Sequence, residues 1–172
     1  MSLPDWHEEA IDRRHDRKSF DCGDAQLNRF FWEHARKNHE QGASKTFLAM
    51  RDDDTTIMGF YSLSPVSIDY ARAPAVVTKG LPCYDVPMFR LGRLAVSLGY
   101  QGKGLMGGQL LLAAGRRCLR VADEAGGVAM FIDAKNDRVA KWYQSYGAVP
   151  LADQPLSLVL PLRTIRSALG AV

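Results

Sequence analysis

Apolar residues recur along this chain at two spacings, and the change from one to the other marks out its elements. Across residues 25–41, Leu27, Phe30, Phe31 and Ala35 recur at helical spacing, while Arg29, Glu33, Arg36, Lys37 and Glu40 take the opposite side. This predicts an amphipathic helix, capped by Asp24 and stopped by Gly42. Residues 45–51 and 57–63 flank the acidic turn Asp52-Asp53-Asp54 and predict a β-hairpin, whose second strand can continue through 66–70. Residues 71–86 hold Pro74, Gly80 and Pro82 and read as a loop around, at most, a short helix. Residues 88–96 form a strand, and a long helix follows from 104 to about 125, stopped by Gly126-Gly127. The continuous apolar run 128–132 suits a strand covered on both faces. Asn136 or Asp137 caps a helix through Ala140 and Tyr143 to Tyr146, ended by Gly147. Strands at 149–151 and 156–162 and a short helix at 163–169 close the chain. The first twenty residues are charged, with Trp6 and Ile11 as sparse anchors, and support a short edge strand. The order β-α-ββ-β-α-β-α-β-β predicts an α/β fold in a single domain over residues 1–172.

The junction between the strand at 88–96 and the long helix carries the chemistry. Leu91-Gly92-Arg93-Leu94-Ala95-Val96 ends in a turn, and Gln101-Gly102-Lys103-Gly104-Leu105-Met106-Gly107-Gly108 opens into the helix. A strand, a glycine loop and a helix N-terminus together form an anion site, because the first backbone N–H groups of the helix lack intrahelical acceptors and the dipole is positive there. Three phosphate loops compete for this segment. A Walker A loop requires a lysine followed by Ser or Thr, whereas Lys103 is followed by Gly104. The dinucleotide fingerprint G-x-G-x-x-G is literally present at 102–107, but it lies past the middle of the chain, with only half a doubly wound sheet's worth of residues after it. An acyl-CoA pyrophosphate loop of the form [Q/R]-x-x-G-x-[G/A] matches at Gln101, Gly102, Lys103 and Gly104 and departs at Met106.

Composition narrows the class little. With 172 residues the chain can bury a good core, and 47% hydrophobic with 24% charged residues is ordinary for a soluble globular protein. No apolar run approaches the length of a membrane helix. The first residues do not read as a signal peptide. The net charge of +3 permits a nucleic-acid partner without requiring one. Cys22, Cys83 and Cys118 are odd in number and lack metal-ligand spacing, which suits a reducing cytoplasm. The four histidines all fall in the first quarter, and none forms a zinc-type pair, so no metal is expected.

Arg93-Leu94-Ala95-Val96 with Tyr100-Gln101-Gly102-Lys103-Gly104-Leu105 resembles the central motif of the GNAT N-acetyltransferases. Ala140-Lys141-Trp142-Tyr143-Gln144-Ser145-Tyr146-Gly147 is similar to the helix that carries that family's tyrosine, with Trp142 in place of Phe. Phe20-Asp21-Cys22-Gly23, Leu27-Asn28, Phe30, Ala35, Gly42 and Thr46, with Pro161-Leu162 near the end, resemble the GNAT-type toxins of bacterial toxin–antitoxin pairs. The resemblance covers nearly the whole chain. It implies a mixed, mostly antiparallel sheet with splayed central strands, flanked by helices.

The resemblance also implies a mechanism. Acetyl-CoA would pair its pantetheine arm with the backbone of Leu94, Ala95 and Val96 and set its pyrophosphate on the amides of Gln101, Gly102, Lys103, Gly104, Leu105, Met106 and Gly107. Asn136 would touch the CoA arm or simply cap its helix. An amine would attack the thioester, with the oxyanion held by a backbone N–H near Val96 and a proton given to the departing sulfur by Tyr143. In the toxins the acceptor is the α-amino group of an aminoacyl-tRNA, so translation stops until an antitoxin, typically a ribbon-helix-helix protein, neutralises the enzyme. Such toxins are cytoplasmic, and the resemblance suggests a homodimer. Arg90 and Arg93, with Lys37 and Arg36 behind them, are the candidate tRNA contacts. Arg116, Arg117 and Arg120 on the long helix read instead as a solvated face. No His or Glu stands in the central motifs to act as a strong base, which favours an α-amino acceptor, with pKa near 7.7–8.0, over a lysine near 10.4. Two further readings stay open: a GNAT enzyme acting on a small amine or a protein N-terminus, and a non-catalytic acyl-CoA-sensing domain.

Overall fold

A computed structural model describes residues 2–170. The strands are β1 (Trp6–Ala10), β2 (Lys45–Arg51), β3 (Ile57–Ile68), β4 (Val86–Val96), β5 (Ala129–Asp133), β6 (Val149–Pro150) and β7 (Ser157–Pro161). The helices are α1 (Ala25–Arg29), α2 (Ala35–Gln41), α3 (Ala75–Thr78), α4 (Met106–Ala125), α5 (Asp137–Gln144) and α6 (Leu162–Ala168). The strands hydrogen-bond in the order β1-β2-β3-β4-β5-β7-β6 in one seven-stranded mixed sheet. The chain forms two compact units, Met1–Ser64 with Gly92–Ala113 and Pro65–Leu91 with Ala114–Val172; β3, β4 and α4 each run from one into the other.

The first unit is built on an antiparallel ladder. β1 pairs with β2 from Trp6–Arg51 to Ala10–Phe47, and β2 pairs with β3 with a bulge at Ala49/Met50. Asp24 caps α1 as expected, its carboxylate accepting from the amides of Gln26 and Leu27 at 3.0 and 3.1 Å. Gly42 ends α2 at φ 79°, with its amide on His39 O and the Ala43 amide on Asn38 O, the two bonds of a Schellman stop. Between α1 and α2, Phe30–His34 forms a π turn in which the Ala35 amide reaches Phe30 O. Phe30, Phe31 and Ala35 all enter the core, where Phe31 stacks on Phe60 at 4.4 Å and Phe20 tilts against Phe31 at 4.8 Å. Gly59 marks a close approach within this unit: a Cβ there would lie 2.7 Å from Leu110 and 2.8 Å from the Ala95 carbonyl oxygen.

The second unit holds a parallel ladder, β4 on β5 from Met88–Ala129 to Leu91–Ile132. β7 pairs antiparallel with both β5 and β6, so the chain passes the position of β7 to form β6 and then returns. Ala129 and Val159, both at 0% exposure, sit with Met88, Phe131 and Leu151 in its core. Asn136 caps α5 through a 2.9 Å bond from the Val139 amide, and the Gly147 and Ala148 amides close its end on Gln144 O and Tyr143 O. Gly115 lets α4 meet α6, since a Cβ there would lie 2.7 Å from Ile165.

Candidate active site

In the first unit the end of β4 leads directly into the glycine loop. The Ser97 amide donates to Met58 O and the Leu98 amide to Asp21 O, both at 2.9 Å. Both amides just past Val96 are therefore engaged. The Gln101 side chain turns back toward the strand end. Its Nε2 donates to Val96 O at 2.9 Å and to Cys22 O at 2.8 Å, tying the loop's entry to the strand it leaves. Gly102, Gly104 and Leu105 have φ of 72°, 53° and 56°. Leu105 pays about 1 kcal/mol for a left-handed conformation that glycine adopts freely, and its side chain is 77% exposed.

The first turn of α4 follows. The Met106 amide donates to Lys103 O at 3.1 Å and the Gln109 amide to Leu105 O at 2.9 Å, whereas helix geometry supplies no acceptor for Gly107 and Gly108. Those two amides, together with the loop before them, are the donors that this end of the helix leaves without intrahelical acceptors. The long helix thus begins two residues later than its apolar pattern suggests, because Gly104 and Leu105 are left-handed. Met106 is 1% exposed, so its bulky side chain turns into the core and leaves the loop surface clear. Lys103 is half-buried, and a Cβ at Gly102 would meet nothing within 4 Å, so that side of the loop is open.

A buttress behind the loop has no counterpart in the chemistry expected from sequence. Asn28, 6% exposed, accepts from the Cys22 amide at 2.9 Å and donates to Asp21 Oδ1 at 2.8 Å. Asp21 Oδ1 also accepts from the Gly23 amide at 2.8 Å, and these bonds, that from Gly23 foremost, hold its carboxyl below the usual range. The turn so fixed offers Asp21 O to Leu98 and Cys22 O to Gln101. The signal was present in Phe20-Asp21-Cys22-Gly23 and Leu27-Asn28, but nothing in their spacing says that they brace residues 98–101.

The other expected residues of this unit divide by environment. Leu94 and Val96 are half-buried, and Ala95, 4% exposed, lies in the core. Arg93 lies over the Phe30 ring, 4.1 Å from its centroid. Arg36 pairs with Glu40 at 2.7 Å, and Lys37 is exposed.

The second unit carries Tyr143, Asn136 and Arg90. Tyr143 is 7% exposed, and burial raises its phenol pKa above the ordinary value, which keeps it protonated at neutral pH. Trp142 packs edge-on against it at 4.9 Å. Asn136 has its side-chain oxygen committed to the α5 cap, as its alternative reading holds. Arg90 lies 5.2 Å from the Phe131 ring and bonds Asp133 at 3.2 Å. Cys118 is buried, and burial pushes its thiol up to about 12, so it is an inert packing residue. Among the described residues no cluster of three or more His, Cys, Asp or Glu is placed to hold a metal ion, and no helix is long and apolar enough to cross a membrane.

A mixed sheet with a glycine loop between a central strand and a long helix defines the class as the GNAT acyltransferases. No family model matches the chain. It is 33% identical over 165 residues to a probable toxin TacT of Sinorhizobium fredii, covering 91% of each chain. It is 35% identical over 152 residues to a tRNA-acetylating toxin of Mycobacterium tuberculosis, covering 88% of this chain and 89% of that one. Among solved structures, AtaT complexed with acetyl-methionyl-tRNAfMet matches with a TM-score of 0.87 at 26% identity, over 96% of this chain and 99% of that one. A KacT variant with one tyrosine changed to phenylalanine matches with a TM-score of 0.86, also at 26% identity, over 95% of this chain and 98% of that one. The chain belongs to the family of GNAT toxins that includes TacT and the tRNA-acetylating toxins.

Proposed function

We propose that this protein is an acetyl-CoA-dependent N-acetyltransferase toxin that acetylates the α-amino group of an aminoacyl-tRNA and so blocks translation. The observation that carries the reading is the glycine loop at the start of α4, in a chain 35% identical to a tRNA-acetylating toxin. The loop's donor set fits a diphosphate: the Gly107 and Gly108 amides, an open face at Gly102, and the positive end of a 20-residue helix. Acetyl-CoA, when bound, supplies an activated acetyl thioester. The chain's own residues bind and orient: the backbone of 94–96 pairs with an extended arm, and 101–107 hold its phosphates. Tyr143 holds a proton on its phenolic oxygen for a departing group. Its support is a buried, protonated phenol in the Ala140–Gly147 pattern, alongside the tyrosine altered in the KacT variant.

The acceptor amine deprotonates without a strong base. An α-amino group, already partly neutral near pH 7.7–8.0, meets that requirement. Arg93, Lys37 and Arg36 in one unit and Arg90 in the other are the proposed phosphate contacts for tRNA. The protein works in the cytoplasm, as a homodimer, with a ribbon-helix-helix antitoxin as its partner. Induced expression should arrest growth within about a generation, a loss of translation that pulse-labelling of nascent protein reads. Unchanged labelling in cells that contain folded protein would contradict the toxin reading.

A further inference from the structure

The expected chemistry assigns no role to the N-terminal segment, yet within the first unit it lies against the phosphate loop. The Trp6 indole Nε1 donates to Gln109 Oε1 at 3.0 Å, across 103 residues of sequence. The same side chain's Nε2 donates to Gly104 O at 2.7 Å. A single glutamine in the first turn of α4 is thus gripped from one side and grips the loop on the other. Leu3 closes the arrangement, since a Cβ at Gly104 would come within 2.5 Å of the Leu3 side chain. Asp5 O accepts from the Asp52 amide at 3.0 Å, and the β1–β2 ladder begins at Trp6–Arg51, so the segment is itself anchored.

The contact falls at the loop's most demanding point. Gly104 and Leu105 are consecutive positive-φ residues, and Leu105 is not a glycine. Such a conformation persists only where its surroundings hold it. The bond to Gly104 O fixes the peptide plane joining those two residues. That plane sets the direction of the Leu105 N–H and the entry into the Gly107 and Gly108 amides.

We propose that Trp6 and Gln109 are positioning residues for the pyrophosphate loop: through the relay Trp6–Gln109–Gly104 the N-terminal strand holds the loop in its anion-binding conformation before the cofactor arrives. The proposal rests on the acetyl-CoA reading of the loop. Preorganisation of this kind acts on cofactor affinity and leaves the chemical step alone.

Two variants of the full chain test it. Trp6→Phe keeps a packed ring and removes the donor; Gln109→Leu removes both bonds. Amide hydrogen exchange across 103–108 should quicken in both, with the rest of the chain unchanged. The Kd for coenzyme A, by calorimetry, should rise about 2- to 10-fold for each bond lost, with the KM for acetyl-CoA rising in parallel. kcat and the KM for aminoacyl-tRNA should stay within about 2-fold, a split that general destabilisation does not produce. Unchanged loop exchange, unchanged coenzyme A affinity, or a quickening spread evenly over the chain would each overturn the proposal. Should the parent protein bind no coenzyme A, the cofactor reading fails by itself, and the exchange measurement alone decides the relay.

Discussion

Asn28 occupies an inward position on a surface helix, where the apolar pattern of α1 would have accepted a leucine. Its amide instead satisfies the Cys22 N–H and Asp21 Oδ1, and the turn they form supports residues 98–101. Asn28→Ala leaves the Cys22 N–H without its side-chain acceptor, and we expect a loss of about 1–3 kcal/mol, read as a lower urea midpoint at unchanged slope. A loss under about 0.5 kcal/mol, the range of an ordinary surface change, would show that the turn stands without it. At this scale the sequence was legible where chemistry depends on near neighbours. Asp24 and Asn136 each cap the helix that follows, and Gly42 and Gly147 each stop one. It was opaque where a side chain serves a distant backbone group, as with Gln101, whose side chain bridges the carbonyl groups of Val96 and Cys22. Met106 is the intermediate case: it departs from the loop motif, and its side chain is buried away from the loop surface.

Elements followed their periodicity except where backbone geometry overrode it. Helical spacing of Leu27, Phe30, Phe31 and Ala35 correctly foretold one amphipathic run, but the i→i−5 bond at Ala35 is invisible in a pattern that reports only faces. The short edge strand at the N-terminus was legible as β1, whereas its fastening was not. His7 bridges Asp52 at 2.5 Å and Glu9 at 2.6 Å, and those two bonds, Asp52 first, raise its pKa. A histidine with a raised folded pKa stabilises most when protonated. The clamp is therefore fully present below the unfolded value near 6.5 and is lost as pH rises through the raised folded one. The difference in Tm between the parent and His7→Gln should be largest below the unfolded value near 6.5 and shrink as pH rises above it. A difference that is constant across that range would remove the ion-pair account of the β1 fastening.

At the scale of the molecule, the α/β class and the alternation of strands and helices were readable because several elements are bounded by glycine or a capping side chain, as at Asp24, Gly42, Gly126, Asn136 and Gly147. The strand order was not, since the insertion of β7 between β5 and β6 depends on pairings that no local pattern carries. The division into two units was equally hidden, because β3, β4 and α4 run through it without interruption. The family was legible through two short motifs, the loop at 101–107 and the tyrosine helix at 140–147, and the chain belongs to the toxin family that they resemble. Acetyl transfer is the reaction to measure. Purified protein would be given acetyl-labelled coenzyme A with a pool of aminoacyl-tRNAs, beside uncharged tRNA and small amines, as parent and as Tyr143→Phe. The account predicts label on charged tRNA alone, appearing faster as pH rises through the α-amine pKa, and falling about 100-fold or more in the variant. Label on small amines with none on charged tRNA would contradict it.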